Sequence, residues 1–130
     1  MKKQELINEA QKSLQDVELT INKIPQEIDD LDVISSVSMG YIYLNTVDTF
    51  KEHTDLLHVF AKHLGTYECM YYGISCGALS MRYTFKDQSL EVYFYCREIE
   101  KALEVIGKGK CKVVEEYTTP YKRQTVVCDA

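Results

Sequence analysis

Positive charge is in short supply in this chain. Fifteen Lys and Arg face twenty Asp and Glu, a net charge of -5 at pH 7, so most of the surface repels phosphate backbones and anionic lipid. Duplex DNA and a membrane are therefore not expected as partners. Paired-cysteine spacing is missing too. Cys69, Cys76, Cys96, Cys111 and Cys128 are odd in number and contain no C-x-x-C pair, which fits neither a closed disulfide framework nor a zinc ribbon and points to a reducing cytoplasm. Cys96 and Cys128 continue the apolar phase of their strands and read as small buried hydrophobes. The segment after Lys2 and Lys3 is amphipathic and acidic, so neither a membrane span nor a cleavable leader is expected there.

The composition, 45% hydrophobic and 27% charged over 130 residues, belongs to a folded chain with room for one core. One domain over 1–130 is expected, divided into a helical arm, 1–34, and an α+β body, 35–130. In the arm Ile7, Ala10, Leu14, Val17, Ile21, Ile24, Ile28 and Leu31 follow a three-four rhythm, the a/d seam of a heptad repeat. Such a seam is narrower than the apolar face of a helix that lies on a sheet, and it suits a second helix. Ile7, Leu14, Val17, Ile21 and Ile24 are accordingly expected to form an oligomerisation seam in a homodimer or higher assembly. The e and g positions carry no alternating Glu and Lys code. The helix should run from Lys3 to about Lys23, bend at Pro25, and resume as a short helix with Pro25 in its first turn.

In the body, Ser35 to Ser38 read as a connector and Gly40 to Leu44 as a strand. Thr49 and Glu52 have capping-box spacing, opening a helix that ends at Gly65 with Phe50, Leu57, Phe60, Ala61 and Leu64 on one face. Leu79, Met81, Tyr83 and Phe85, then Leu90, Val92, Phe94 and Cys96, alternate with other residues, and the polar KDQS between them predicts an antiparallel hairpin. Tyr67 to Cys76 form the preceding strand, with Gly73 a bulge or a point of close approach. Arg97 to Ile106 form a third helix capped at Gly107, and Cys111 to Tyr117 and Arg123 to Cys128 are two strands about TTPYK. The fold class is α+β: a kinked helical arm, then a largely antiparallel sheet of about six strands with two further helices packed on it.

If Val92 and Phe94 face the core, Tyr93 and Tyr95 point the other way. Arg82 and Tyr71 on the neighbouring strands are expected to join them as a partner- or ligand-binding surface. The alternative is that the arm covers these rings as a second core layer. A nucleotide held between an aromatic wall and a cation, Arg82 or Arg97, is a second binding reading. The GKGK run at Gly107 to Lys110 follows a helix and lacks phosphate-loop spacing, so it reads as a turn. His53, His58 and His63 recur every five residues, a step of roughly 140° that keeps them from one metal ion. His53 lies beside the apolar stripe and His58 in solvent. Glu27, Asp29, Asp30 and Asp32 lack calcium-loop positions, and Glu115 and Glu116 point to opposite sides of a strand. No catalytic, metal or cofactor constellation emerges, so an enzyme is not expected.

A small acidic chain with a helical arm on a compact sheet resembles, in general style, accessory proteins of phages and mobile elements that inhibit host factors by occupying a surface. The expected function is thus a non-catalytic, cytoplasmic protein-protein interaction module that binds itself and an unidentified protein partner.

Overall fold

The structure, a computed structural model, describes residues 2–85, 88–118 and 121–129, with side chains for all of these except 116–118 and 121. Its elements are α1 (Lys3–Ile21), α2 (Gln26–Asp30), β1 (Ile34–Ser38), β2 (Tyr41–Leu44), α3 (Phe50–Leu64), β3 (Tyr67–Ser75), β4 (Ala78–Phe85), β5 (Glu91–Cys96), α4 (Ile99–Ile106), β6 (Cys111–Thr118) and β7 (Tyr121–Cys128). The α+β class holds. The strands divide between a five-stranded sheet, ordered β1-β2-β5-β4-β3, and a separate β6-β7 hairpin. All neighbours are antiparallel except β2 and β5. That pair is parallel because the chain leaves β2 through α3, β3 and β4 before returning beside it, the long crossover that parallel neighbours require.

Period-two alternation builds the core. Leu79, Met81, Tyr83 and Phe85 of β4 and Val92, Phe94 and Cys96 of β5 are buried, together with Ile42 and Leu44 of β2. Leu56, Leu57, Phe60 and Leu64 of α3 and Ala102 and Leu103 of α4 close over them. The α3 start is capped twice: Thr49 Oγ1 accepts from the Glu52 amide at 3.2 Å, and Glu98 Oε1 accepts from the Phe50 amide at 2.9 Å. Glu98 thus ties the start of α3 to the residue preceding α4 and meets the need of orphan helix amides.

Several expectations are corrected. Ser35 to Ser38 are no connector but most of β1, paired with β2 across a Met39-Gly40 turn in which Gly40 takes φ +80; the half-buried Ile34 and Val37 supply its apolar side. The β3 irregularity falls between Cys69 and Tyr71, not at Gly73. Gly73 is instead a point of close approach, since a Cβ there would lie 2.5 Å from the Tyr71 hydroxyl oxygen. Pro25 is the N-cap of α2, one residue before its first turn. Gly107 has φ -80 and the left-handed positions are Lys108 and Gly109. What Gly107 supplies is space: a Cβ would meet the Leu103 carbonyl oxygen and Cys111 Sγ, each at 2.7 Å. Gly107→Ala is therefore expected to destabilise the fold by about 1–3 kcal/mol, the usual cost of overpacking, read as a lower midpoint in urea unfolding.

Cys111 and Cys128 form a disulfide that joins the open end of the β6-β7 hairpin, leaving Cys69, Cys76 and Cys96 free. This corrects the expectation of thiols only, and Cys128 is exposed where a buried hydrophobe was expected. An odd count excludes full pairing but leaves room for one bridge, and a cross-strand register set by β6 and β7 brings these two together. Tyr72 Oη lies 3.1 Å from each sulfur, linking β3 to the hairpin. Lys86, Asp87, Thr119 and Pro120, the centres of the KDQS and TTPYK turns, lie outside the described residues, as does the Glu116 side chain. No helix among the described residues is long and apolar enough to cross a membrane.

The apolar seam of the arm changes allegiance along its length. Ile28 is fully buried and Ile24 packs half-buried against the body's core, which corrects the placement of Ile24 on an outward seam. Upstream of Asn22 the stripe faces water: Ile7 is 49%, Leu14 60% and Ile21 46% exposed. The α1 helix leans on β1 through its last turns, where Asp16 and Val17 are half-buried and Thr20 is buried; residues 3–15 are exposed throughout. Thr20 Oγ1 accepts from the Gly40 amide at 2.8 Å and fixes the base of the helix beside the β1-β2 turn.

Candidate functional site

The sheet has one face under α3 and α4 and another without a helical cover. Strand alternation sends Tyr41 and Tyr43 of β2, Tyr93 and Tyr95 of β5, Arg82 of β4 and Tyr71 of β3 to that second face. The pairing is explicit: Tyr43 lies opposite Tyr93, and Arg82 lies opposite both Tyr93 and Tyr71. Tyr43 and Tyr93 stack with ring centroids 4.7 Å apart and 17° between planes, and Tyr41 leans on both at 6.5 and 6.2 Å. Tyr71 is 53% exposed and Tyr41 is exposed as well, while Tyr43, Tyr93 and Tyr95 are half-buried. The four residues singled out from sequence, Tyr93, Tyr95, Arg82 and Tyr71, thus share one surface. Tyr41 and Tyr43 were missed, although the alternation of GYIYL, with Ile42 and Leu44 inward, carries the signal. The leading residues of α1 are themselves exposed, so they do not cover these rings within the chain.

Arg82 is the cation at the middle of the face. A hydrogen bond with Tyr93, and after it the Glu91 carboxylate, raises its pKa above the ordinary value. Its Nε sits 3.8 Å from Glu91 Oε1, too far for a hydrogen bond, and its guanidinium carbon lies 5.9 Å from the Tyr71 ring centroid. Arg82 Nε and Glu91 Oε2 are buried without a hydrogen-bond partner within the chain, beside the ion pair that the two residues make. Burial first, and then the Tyr43 and Tyr93 rings, push the Tyr95 phenol upward. At the other end of the face a cavity of about 360 Å³ is lined by residues including Ser36, Tyr43, Ser75 and Tyr95, with no Lys or Arg in its wall. Arg97 lies elsewhere, paired with Asp48 and beside a cavity whose wall also carries Glu98, Glu100 and Glu104. Aromatic wall and cation therefore do not meet in one of these cavities, as a nucleotide site needs.

The remaining candidates are dispersed. His53 is 1% exposed, sealed between α3 and the sheet, with Nε2 2.8 Å from the Tyr83 hydroxyl oxygen. Burial pushes the Cys69 and Cys96 thiols up, away from the thiolate that a nucleophile uses. His58 is exposed. His63 and Lys62 of α3 meet Glu27 of α2 at 2.7 and 3.5 Å, a surface contact whose His63 hydrogen bond, above all, lowers the Glu27 pKa. Asp29 and Asp30 accept from Gln26 in the solvated face of α2. No group of three or more His, Cys, Asp or Glu among the described residues is gathered as a metal site. No protein-family model matches the chain, and neither curated proteins nor solved structures yield a match.

Proposed function

We propose that this chain is a non-catalytic protein-protein interaction module that self-associates through α1, with the tyrosine face as its recognition surface. The observation that carries this reading is the solvent-exposed apolar stripe on a helix that stands away from its own body. An isolated helix of about 12–15 residues is marginal in water, and helices in proteins owe most of their stability to packing of an apolar face. Residues 3–15 have no such packing within the chain. A cytoplasmic setting is supported by three unpaired cysteines, Cys76 among them exposed, while the Cys111–Cys128 bridge argues in the other direction.

Leu14 lies at the centre of the exposed stripe, and Leu14→Glu sets one carboxylate per copy into whatever covers it. Burying an uncompensated charge costs several kcal/mol, so the dissociation constant is expected to rise on the order of 100-fold. Light scattering after size exclusion over a concentration series checks this: the native chain should give a dimer mass and the variant a monomer mass with an unchanged folded-state spectrum. A native chain that is monomeric across the whole series overturns the reading.

A further inference from the structure

We infer that α1 of one copy lies across the tyrosine face of a second copy, so that association helix and recognition surface are two halves of one interface, made twice around a two-fold axis. This rests on the self-association reading and names the surface that receives the arm. The chain carries a helix whose apolar stripe is exposed at Ile7, Leu14 and Ile21, and a sheet face with no helix over it. A largely antiparallel sheet can leave one face in water, but this one gathers the rings of Tyr41, Tyr43 and Tyr93 on its free face, large contact area of the kind that interfaces use. Reciprocal exchange satisfies both needs with one contact.

Four features fit helix to face. The first is width. With the exposed Leu6 added to Ile7, Ala10, Leu14, Val17 and Ile21, the apolar arc spans about 100°, the breadth of a helix that packs on a sheet. The second is length: α1 is ~28 Å long at 1.5 Å per residue, close to the ~26 Å of an eight-residue strand such as β4. The third is chemistry. The arm offers aliphatic side chains, and the face offers stacked rings whose hydroxyls stay at the rim. Glu18, at the edge of the arc, is a carboxylate for the guanidinium of Arg82, whose side chain is 34% exposed.

Area is the fourth feature and separates this arrangement from a helix-helix pair. The free part of the helix, residues 3–15, is ~20 Å long and at ~10 Å width covers ~200 Å². One helix-helix contact therefore buries ~400 Å² over its two surfaces, whereas two arm-on-face contacts bury ~800 Å², closer to the ~1,000 Å² of a specific interface. The arm is also rooted in the right place, because Thr20 is bonded to Gly40, the residue immediately before Tyr41.

Tyr93→Glu supplies the test, with Leu14→Glu as its counterpart. Exchange predicts that each variant alone loses dimer, with at least a ~30-fold weaker association corresponding to ~2 kcal/mol. In an equimolar mixture the heterodimer keeps one intact arm-on-face contact, so it is expected to associate more tightly than either variant alone and more weakly than the native chain. A native dimer that Tyr93→Glu leaves unweakened overturns the inference in favour of helix-helix pairing, and leaves self-association standing. A native monomer removes self-association itself. Should Tyr93→Glu fail to fold, the native chain decides alone. In a dimer of isotope-labelled and unlabelled copies, filtered cross-relaxation between Leu14 methyls and the Tyr43 and Tyr93 rings supports exchange, and Leu14-to-arm contacts without ring contacts overturn it.

Discussion

Phe94→Ala is expected to lower the unfolding free energy by about 3–5 kcal/mol, the range for truncating a fully buried phenylalanine. Phe94 is buried on β5, with its ring edge-on to His53, Phe60 and Tyr83 at centroid distances of 5.0, 6.0 and 5.4 Å. Three aromatic contacts from two other elements converge on one side chain, and each is worth about 0.5–1.5 kcal/mol beyond area burial, which places the loss toward the upper end. A cavity at this position is walled by α3 on one side and the sheet on the other, so neither collapses freely to fill it. Phe94→Leu, which keeps more of the volume, should cost less. Urea unfolding monitored by far-ultraviolet circular dichroism reads the effect as a lower midpoint at unchanged slope. A loss under about 1 kcal/mol would contradict the close-packed centre described above. Tyr93 and Tyr95 flank Phe94 on the same strand and face the other way, so altered stacking-sensitive tyrosine spectra in Phe94→Ala would trace to the shape of the face. Tyr93→Glu acts on the face directly.

Much of this architecture was legible in the residues because local and global signals agree there. The alternation from Leu79 to Phe85 and from Leu90 to Cys96 placed the central hairpin, and Thr49 with Glu52 placed the start of α3, since cap and period depend on neighbours a few residues away. The same alternation grouped Tyr93, Tyr95 and Arg82 correctly. What stayed hidden depends on long-range partners. The a/d rhythm runs evenly through Pro25, yet Ile24 and Ile28 turn into the chain's own core while Ile7 and Leu14 face solvent; periodicity reports that a stripe is apolar, not what covers it. β1 escaped notice because Ser35, Ser36 and Ser38 lack strand propensity and the segment is held by pairing with β2. The parallel β2-β5 register and the meeting of Cys111 with Cys128 are likewise consequences of topology. His53 was read as a satisfied, partly buried residue beside a helix stripe; that its burial is complete, with Tyr83 thirty residues on as its partner, follows from the fold.

That burial makes acid the second strong lever on this fold. Desolvation, and after it the neighbouring His58, lower the His53 pKa from 6.5 to about 4. Above pH 6.5 the imidazole is neutral in the folded and unfolded chain alike and contributes no pH dependence. Between pH 6.5 and 4 the unfolded chain takes up a proton that the folded chain refuses, so stability falls as pH falls, by about 1.4 kcal/mol per unit and about 3 kcal/mol in all. Below pH 4 both states are protonated and this contribution levels off. The Glu27 carboxylate, itself lowered from 4.5, titrates beneath most of that window, and burial holds the Tyr83 phenol far above it; because His63 is paired with Glu27, it is the difference in slope between the native chain and His53→Gln from pH 6.5 to 5 that reports the buried imidazole. Urea midpoints measured at half-unit steps should decline steadily over that interval in the native chain. His53→Gln gives up the hydrogen bond geometry to Tyr83 and starts less stable at pH 7, but its profile over the same interval should be nearly flat. An equal decline in both proteins would mean that His53 is reached by water in the folded state, and the sealed His53–Tyr83 pair at the centre of the core would have to be abandoned.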